Sequence, residues 1–288
     1  PLPTTSFTEY NIHTKDANGA YQIVGQSPTT DFFFPAQTCD SYQFFYVSLE
    51  DQSGCFSYST VDSAMLNDII GPALPAITHV SVDDSGKAII NWTCVATDVD
   101  SFEIYKRTNQ GWITIGVVPA TVKTFLYNSS NASNVYETFS VRALDSCNNA
   151  STRSKEHNSI NLEAKINTCD FTIELNWNEY INIIDGLSHY NLFINEIDQS
   201  GGINNSIERI SYEQMTFTIN NINIGSVYYI FIEACNMDTS LVATSDKLQV
   251  SIEKPIQPSF NYIQSVSINH DNGFVELDCL IDDQPTID

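Results

Sequence analysis

The sequence predicts an all-β chain, folded as a tandem array of antiparallel sandwiches, two complete and two partial. Three observations predict it. Apolar and polar residues alternate over short stretches such as "KAIINW", "FEIYKR", "TIELNW" and "YYIFIEA", the period of a half-buried strand. Turn-forming residues punctuate these stretches, as in "DDSGK", "TNQGW", "DQSGG" and "HDNGF". The strands also recur as ordered sets, and no segment sustains a helical period.

"SFTEYNIHTKDANGAYQIVG" reads as two strands around a turn at Asn18-Gly19, with only six residues before it. "DFFF" follows, where Phe32, Phe33 and Phe34 are expected to form a fifth sandwich strand with one ring outward. "SYQFFYVSL" reads as the sixth strand, so this opening domain lacks its first two. A complete set then begins at "GKAIINW" and another at "FTIELNW". Their Trp92 and Trp177 lie 85 positions apart. That is near the length of one seven-stranded sandwich, about 90–100 residues. Strands with an aromatic start follow each Trp, "SFEIYKR" and "SHYNLFI". Long strands ending in Ala143 and Ala234 come later. "YIQSVSINHDNGFVELDC" then repeats "ITHVSVDDSGKAIINWTC", with Leu277 in place of the Trp. The boundaries expected are 1–72 (partial), 73–163, 164–254 (both complete) and 255–288 (first two strands).

This order resembles the fibronectin type III fold. The resemblance implies Trp92 and Trp177 in the cores, and Tyr136 and Tyr228 capping one corner. It aligns "SFTEYNIHT" with "SFEIYKR" as third strands.

Composition limits the function classes. Charged residues are only 16%, and net charge is −23. Such a surface repels phosphate backbones and anionic headgroups, so neither nucleic acid nor a membrane surface is an expected partner. No signal peptide and no apolar run of spanning length occur, so any export signal or anchor is expected outside this stretch. The expected location is extracellular or on the cell surface.

Seven cysteines in an acidic, β-rich chain suggest disulfides. Position favours Cys147, after a sixth strand, with Cys169, entering the next sandwich. A bond there would clamp adjacent domains and close a loop worth about 3 kcal/mol. Cys39 and Cys55 bracket the sixth strand of the opening domain and form a second candidate pair. Cys94 and its equivalent Cys279 are expected as inward thiols. Cys235 either pairs with Cys279 or stays reduced.

The segment Ala143–Ile183, "ALDSCNNAS…EHNSINLEA…NTCDFTIELNWNEYINI", also resembles the tandem repeats of gliding-motility-associated surface proteins. Those are Bacteroidota proteins exported by type IX secretion. The resemblance implies a recurring Cys147–Cys169 pair and a stalk, adhesin or filament role. It also implies no shared catalytic activity. "DSA" at Asp62–Ala64 is similar to an O-glycosylation signal of that group, with Ser63 as acceptor.

Little else carries chemistry. The histidines His13, His79, His157, His189 and His270 are scattered, with no G-x-S-x-G or HExxH motif, so no enzyme is expected. Asp83-Asp84 and Asp282-Asp283 fall at turns or strand ends. They lack a calcium-loop pattern, although the acidic chain leaves Ca²⁺ at domain joints as an alternative. Trp112, just after a turn, is the one candidate for an exposed stacking contact to glycan or protein. The expected role is a disulfide-stiffened structural or adhesive spacer. The alternatives are a glycan- or protein-binding module, and a subunit of a head-to-tail polymer completed by strand exchange. Expected partners are neighbouring domains, other copies of the chain, and surface proteins or glycans.

Overall fold

A computed structural model describes residues 9–15, 19–34, 39–51, 53–253, 261–269 and 271–281. All regular structure among them is antiparallel strand. His270 and the Asp282-Asp283 pair lie outside the described residues.

The first sheet holds β1 (Tyr10–Lys15), β2 (Tyr21–Ser27), β3 (Ser41–Glu50), β4 (Phe56–Tyr58) and β5 (Asp62–Leu66). Its order is β2-β1-β3, and β4 and β5 pair with opposite ends of β3. The turn between β1 and β2 carries Gly19 at φ 81°, a conformation glycine adopts without a Cβ clash.

Two sheets follow. One contains β6 (Ala76–Val82), β7 (Ala88–Thr93) and β10 (Thr124–Leu126) in the order β10-β7-β6. The other contains β8 (Val99–Thr108), β9 (Gly111–Pro119), β11 (Thr138–Asp145) and β12 (His157–Asn158) in the order β12-β11-β8-β9. The pattern then repeats. β13 (Leu162–Asn167), β14 (Thr172–Trp177) and β17 (Thr216–Asn220) form a three-stranded sheet. β15 (Leu187–Ile197), β16 (Ile203–Ser211), β18 (Val227–Asn236), β19 (Val242–Thr244) and β20 (Leu248–Ser251) form its companion. Strands one, two and five share one sheet, and three, four, six and the last share the other. That is the fibronectin type III order. β21 (Asn261–Ile268) and β22 (Val275–Ile281) form a separate two-stranded sheet.

Alternation builds each core. In the third set, Leu162, Ile173, Leu175 and Trp177 face Tyr190, Leu192, Ile230 and Ile232. Each large apolar side chain buried this way contributes about 1.5–3 kcal/mol. Trp92 packs edge-on to Phe102 at 5.5 Å, and Trp177 to Tyr190 at 5.7 Å. Both Trp are therefore core residues.

The chain divides into two compact units, and the division passes through the second set of strands. One unit takes Pro1–Thr78, Ile90–Phe125 and Thr138–Glu156; the other takes His79–Ile89, Leu126–Glu137 and His157–Asp288.

Four local expectations are corrected. The sheet registers pair Tyr10 with Leu49, Phe102 with Ala143 and Tyr190 with Ala234. So Tyr10, not Phe7, is the third-strand aromatic of the opening set. Tyr136 is exposed and caps nothing. The residue in phase with Tyr228 is its neighbour Glu137, which is buried and accepts from the Ser130 hydroxyl (2.6 Å) and the Asn131 N–H (3.2 Å). Tyr228 does cap its corner: its hydroxyl accepts from the Asn223 N–H at 3.0 Å and donates to Glu196 at 2.9 Å. Asp31–Phe34 forms no strand, although its rings do alternate. Phe34 packs on Phe45, Phe33 is almost fully exposed, and Phe32 lies over Gly25. Finally, Cys94 is half-buried and Cys279 exposed, so neither is an enclosed thiol.

Candidate functional site: two stiffened joints

The residues that stand out are those at the ends of the sandwiches. Each joint lies inside one of the two units, so its contacts can be followed atom by atom.

The first joint is built on the turn leaving β11. Asp145 is buried, and its Oδ1 accepts the N–H groups of Cys147 and Asn149, both at 2.8 Å. Asn148 takes a φ of 63°, which Asn tolerates better than most residues. This clamp presents Cys147 to Cys39, two residues before β3, with the Cα atoms 5.2 Å apart and the sulfurs bonded. The Asn149 amide donates one N–H to Asp145 and the other to the Asp68 carbonyl, both at 2.9 Å. Three residues on, a Cβ at Gly71 would fall 2.5 Å from the Ala150 carbonyl oxygen, so only glycine lets the linker pass so close.

The expected pairings are therefore wrong. Cys147 is bonded to Cys39, which leaves Cys169 and Cys55 as exposed free thiols. Cys39 and Cys55 sit beyond opposite ends of the ten-residue β3. At about 3.3 Å per residue they are some 30 Å apart, far outside disulfide range. Cys169 lies in the exposed β13–β14 turn. A clamp at Cys147 does exist, but its partner precedes it by 108 residues.

The second joint has no covalent bond and is built from hydroxyls and amides. β6 is an edge strand, and its Val80 N–H donates to the Tyr180 hydroxyl at 2.7 Å. Tyr180 is buried, its own N–H donates to the Tyr190 hydroxyl at 2.9 Å, and burial pushes its phenol well above the ordinary range. The Thr244 N–H, on edge strand β19, donates to the Ser81 hydroxyl at 3.1 Å. Side chains thus cap backbone donors that an edge strand would otherwise expose. Asn158 donates to the Glu179 carbonyl at 2.7 Å and accepts from the Ile181 N–H at 2.9 Å. Asn178 accepts from the Asn161 N–H at 2.8 Å and donates to the Ser159 carbonyl at 3.1 Å. The His157 ring stands edge-on to Tyr180 at 6.1 Å. At the rim, Lys247 pairs with Asp84 at 2.8 Å. Beside it Asp246 is buried, its Oδ1 has no hydrogen-bond partner, and burial raises its pKa to about 6.

The remaining candidates are placed as follows. Trp112 is half-buried in a ladder of stacked cations. Arg107 lies 5.7 Å from its ring, and Arg153 lies 5.3 Å from it and 5.5 Å from Tyr105. Two guanidinium groups stack on the indole. Ser63 is exposed on β5, within a strand rather than a loop. Asp51, Asp83 and Asp198 each accept from the residue two ahead, through N–H and hydroxyl, and from the N–H four ahead. These bonds hold their carboxyls below the usual range against the opposing effect of burial. No group of three or more His, Cys, Asp or Glu able to hold a metal occurs among the described residues. No described helix is long and apolar enough to cross a membrane. The His13 ring contacts the Ser48 hydroxyl at 2.8 Å, a pairing the sequence did not reveal. Ser48 is buried beneath it on β3, so the pair reads as a cross-strand contact rather than a nucleophile and base.

No family model matches the chain, and no curated protein matches it. Among solved structures it is similar to the crystal structure of the FN1–FN3 domains of chicken CNTN1. Identity is 10%, covering 88% of this chain and 91% of that one, with a TM-score of 0.30. The fibronectin type III-like strand order of the second and third sets is read from their own sheets.

Proposed function

We propose that this chain is a stiff spacer within an extracellular tandem array, with a structural rather than catalytic role. The observation that carries this reading is the bonding of both joints. A flexible linker would leave its backbone groups to water. Here the linkers are held by a disulfide and by side chains that fill backbone donors and acceptors. Small interfaces between domains normally permit motion. Fixing a joint restricts that motion, the property a spacer needs.

The groups described at both joints belong to the chain itself. The narrower assignment, to Bacteroidota surface proteins exported by type IX secretion, is a proposal carried by the sequence of Ala143–Ile183 alone. In this chain the partner of Cys147 is Cys39, not Cys169.

The test is a measurement of length and stiffness. Small-angle scattering of the native chain should give one narrow distribution of maximum dimension, unchanged by a calcium chelator. Reduction combined with Tyr180→Phe should broaden it. A native chain already as broad as the variant would refute the spacer reading. Cell fractionation with an antibody to this region tests the location: a purely cytosolic signal would sink it.

A further inference from the structure

We propose that the cleft between β16 and β17, in the third set of strands, is a binding site for an uncharged saccharide. This goes beyond the spacer reading and does not depend on it.

The sets of strands treat the same sheet edge differently. Register makes Ile12, Ile104 and Leu192 equivalent: on one side they pair with Val47, Val141 and Ile232. On the other side stand Gly25, Gly116 and Glu208. The register shifts beside each glycine, and a Phe ring lies on it. An added Cβ would fall 2.2 Å from Phe32 at Gly25 and 2.4 Å from Phe125 at Gly116. Phe125 belongs to β10, in the facing sheet, so its ring closes the gap between the two sheets of the second set. The third set keeps the ring and loses the glycine. The Trp92 N–H donates to the Lys123 carbonyl and the Trp177 N–H to the Met215 carbonyl, which makes Phe217 the counterpart of Phe125. Glu208 takes the place of Gly116, and β15 and β16 pair without a register shift. A cavity of about 390 Å³ lies here, lined by residues of both sheet edges.

β16 also inverts the alternation that a core strand needs. Asn204, Ser206 and Glu208 pair with Glu196, Ile194 and Leu192 and continue the row that ends in buried Ile210. These cleft-side positions are polar, while Ile203 and Ile207 in the opposite row are 70% and 62% exposed. The edge is thus built for a polar interior.

The lining selects the ligand. Ile194, Tyr228 and Glu196 are buried, and the Glu196 Oε1 accepts from the Asn223 amide at 2.7 Å and the Tyr228 hydroxyl at 2.9 Å. Burial opposes the charge on Glu196, but these donors outweigh it and hold the carboxyl below its ordinary range. It is therefore an acceptor at neutral pH. Asn204, Ser206, Glu208 and Thr218 also line the cavity. Amides and hydroxyls both donate and accept, and carboxylates accept, which matches a ligand covered in hydroxyls. Phe217 adds ring surface for the C–H face of a sugar. Among the described residues no lysine or arginine lines the cavity, and the chain carries a net charge of −23, so an anion is disfavoured. Glu196 and Glu208 belong to no described group of three or more His, Cys, Asp or Glu able to hold a metal. The volume falls within the roughly 300–1,000 Å³ of small-ligand sites.

The test uses the full chain, with galactose, mannose, N-acetylglucosamine and cellobiose as probes. At millimolar concentration at least one should shift the amide signals of Glu196, Ser206 and Thr218 in NMR spectra, and the shifts should saturate. Ser206→Trp fills the cleft from an exposed position and should weaken that binding by ~10-fold or more. Asn204→Ala removes one hydrogen-bonding group and should weaken it by ~5–10-fold, the worth of one ordinary hydrogen bond. Should Ser206→Trp lose its native circular dichroism, Asn204→Ala decides alone. Failure of every probe to shift these signals overturns the proposal. So does a folded Ser206→Trp that binds like the native chain. Glucuronate or inorganic phosphate binding as tightly as the neutral sugars would overturn it too, as would calcium chloride alone moving the same signals.

Discussion

The two joints reach the same end by different chemistry. The first is fixed by one covalent bond and a few hydrogen bonds around Asp145. The second is fixed by a spread of buried hydroxyl and amide contacts around Tyr180. A disulfide acts mostly by limiting the unfolded chain, and its effect grows with the loop it closes. A buried hydrogen bond acts in the folded state, where an orphaned donor is costly. The first joint is therefore sensitive to reductant and concentrated in one bond. The second is indifferent to reductant and distributed.

Breaking the first joint should give the largest effect. Cys147→Ser opens a loop of 108 residues, for which loop-closure entropy amounts to about 4–5 kcal/mol. The transition of the unit containing Cys39 and Cys147 should fall by many degrees in calorimetry. Reductant should reproduce the shift in the native chain and add nothing to the variant. The third set of strands, Leu162–Ser251, lies outside the closed loop and should melt as before. A variant that keeps its full sensitivity to reductant would show that another cysteine carries the bond.

Breaking the second joint at its centre should cost less. Tyr180→Phe keeps the ring but strands the Val80 N–H, a loss of about 1–3 kcal/mol. Hydrogen exchange should rise at Val80, and reductant should leave the difference unchanged. Unaltered protection at Val80 would mean water replaces the hydroxyl without cost.

Of the two joints, only the second contains a raised carboxyl, that of Asp246. Its folded pKa, about 6, lies above the unfolded value near 4. The folded state therefore holds the proton more tightly. Its contribution is most favourable below pH 4 and is lost as pH rises from about 4 to 6. Above that the charge is buried at a constant cost. Asp246→Asn should remove this cost and raise stability at pH 7–8 by on the order of 1–3 kcal/mol. The gain should shrink as pH falls towards 4. A gain that does not vary with pH would argue against the buried charge.

How much of this was legible depended on whether the cause was local or spatial. Alternation made the strands legible, and the Trp92–Trp177 spacing made the repeating sets legible, because side-chain period and repeat length are written along the chain. The disulfide was not legible, because pairing depends on which chain ends meet in space. Cys39 meets Cys147 only after β3 and β11 are placed. "SF" opens both segments and suggests a phase in which Tyr10 falls too late in its strand. "YNI" at Tyr10 against "YNL" at Tyr190 was the better match and carries the correct phase. Residue type points to Tyr136, whereas phase points to Glu137, which lies four positions before Val141 as Tyr228 lies four before Ile232. The second joint was silent: Tyr180 and Asn158 sit in irregular segments, where no period marks a buried side chain.

The smallest effect belongs to the rim of the second joint. Lys247 and Asp84 meet at 2.8 Å, but the lysine side chain is 51% exposed and the aspartate 81%. Water screens such a pair, and holding two mobile side chains in one geometry costs entropy. Measured values for such pairs run from about 0.2 to 1 kcal/mol. Lys247→Met should therefore lower stability by no more than about 1 kcal/mol, and high salt should erase most of that. Tyr180→Phe should keep its effect in the same salt, because its bond is buried. A double mutant of Lys247 and Tyr180 should be additive, since the rim contact and the buried one share no partner. Strong coupling between them would mean that the joint closes as one cooperative unit, and the distributed description of it would have to be abandoned.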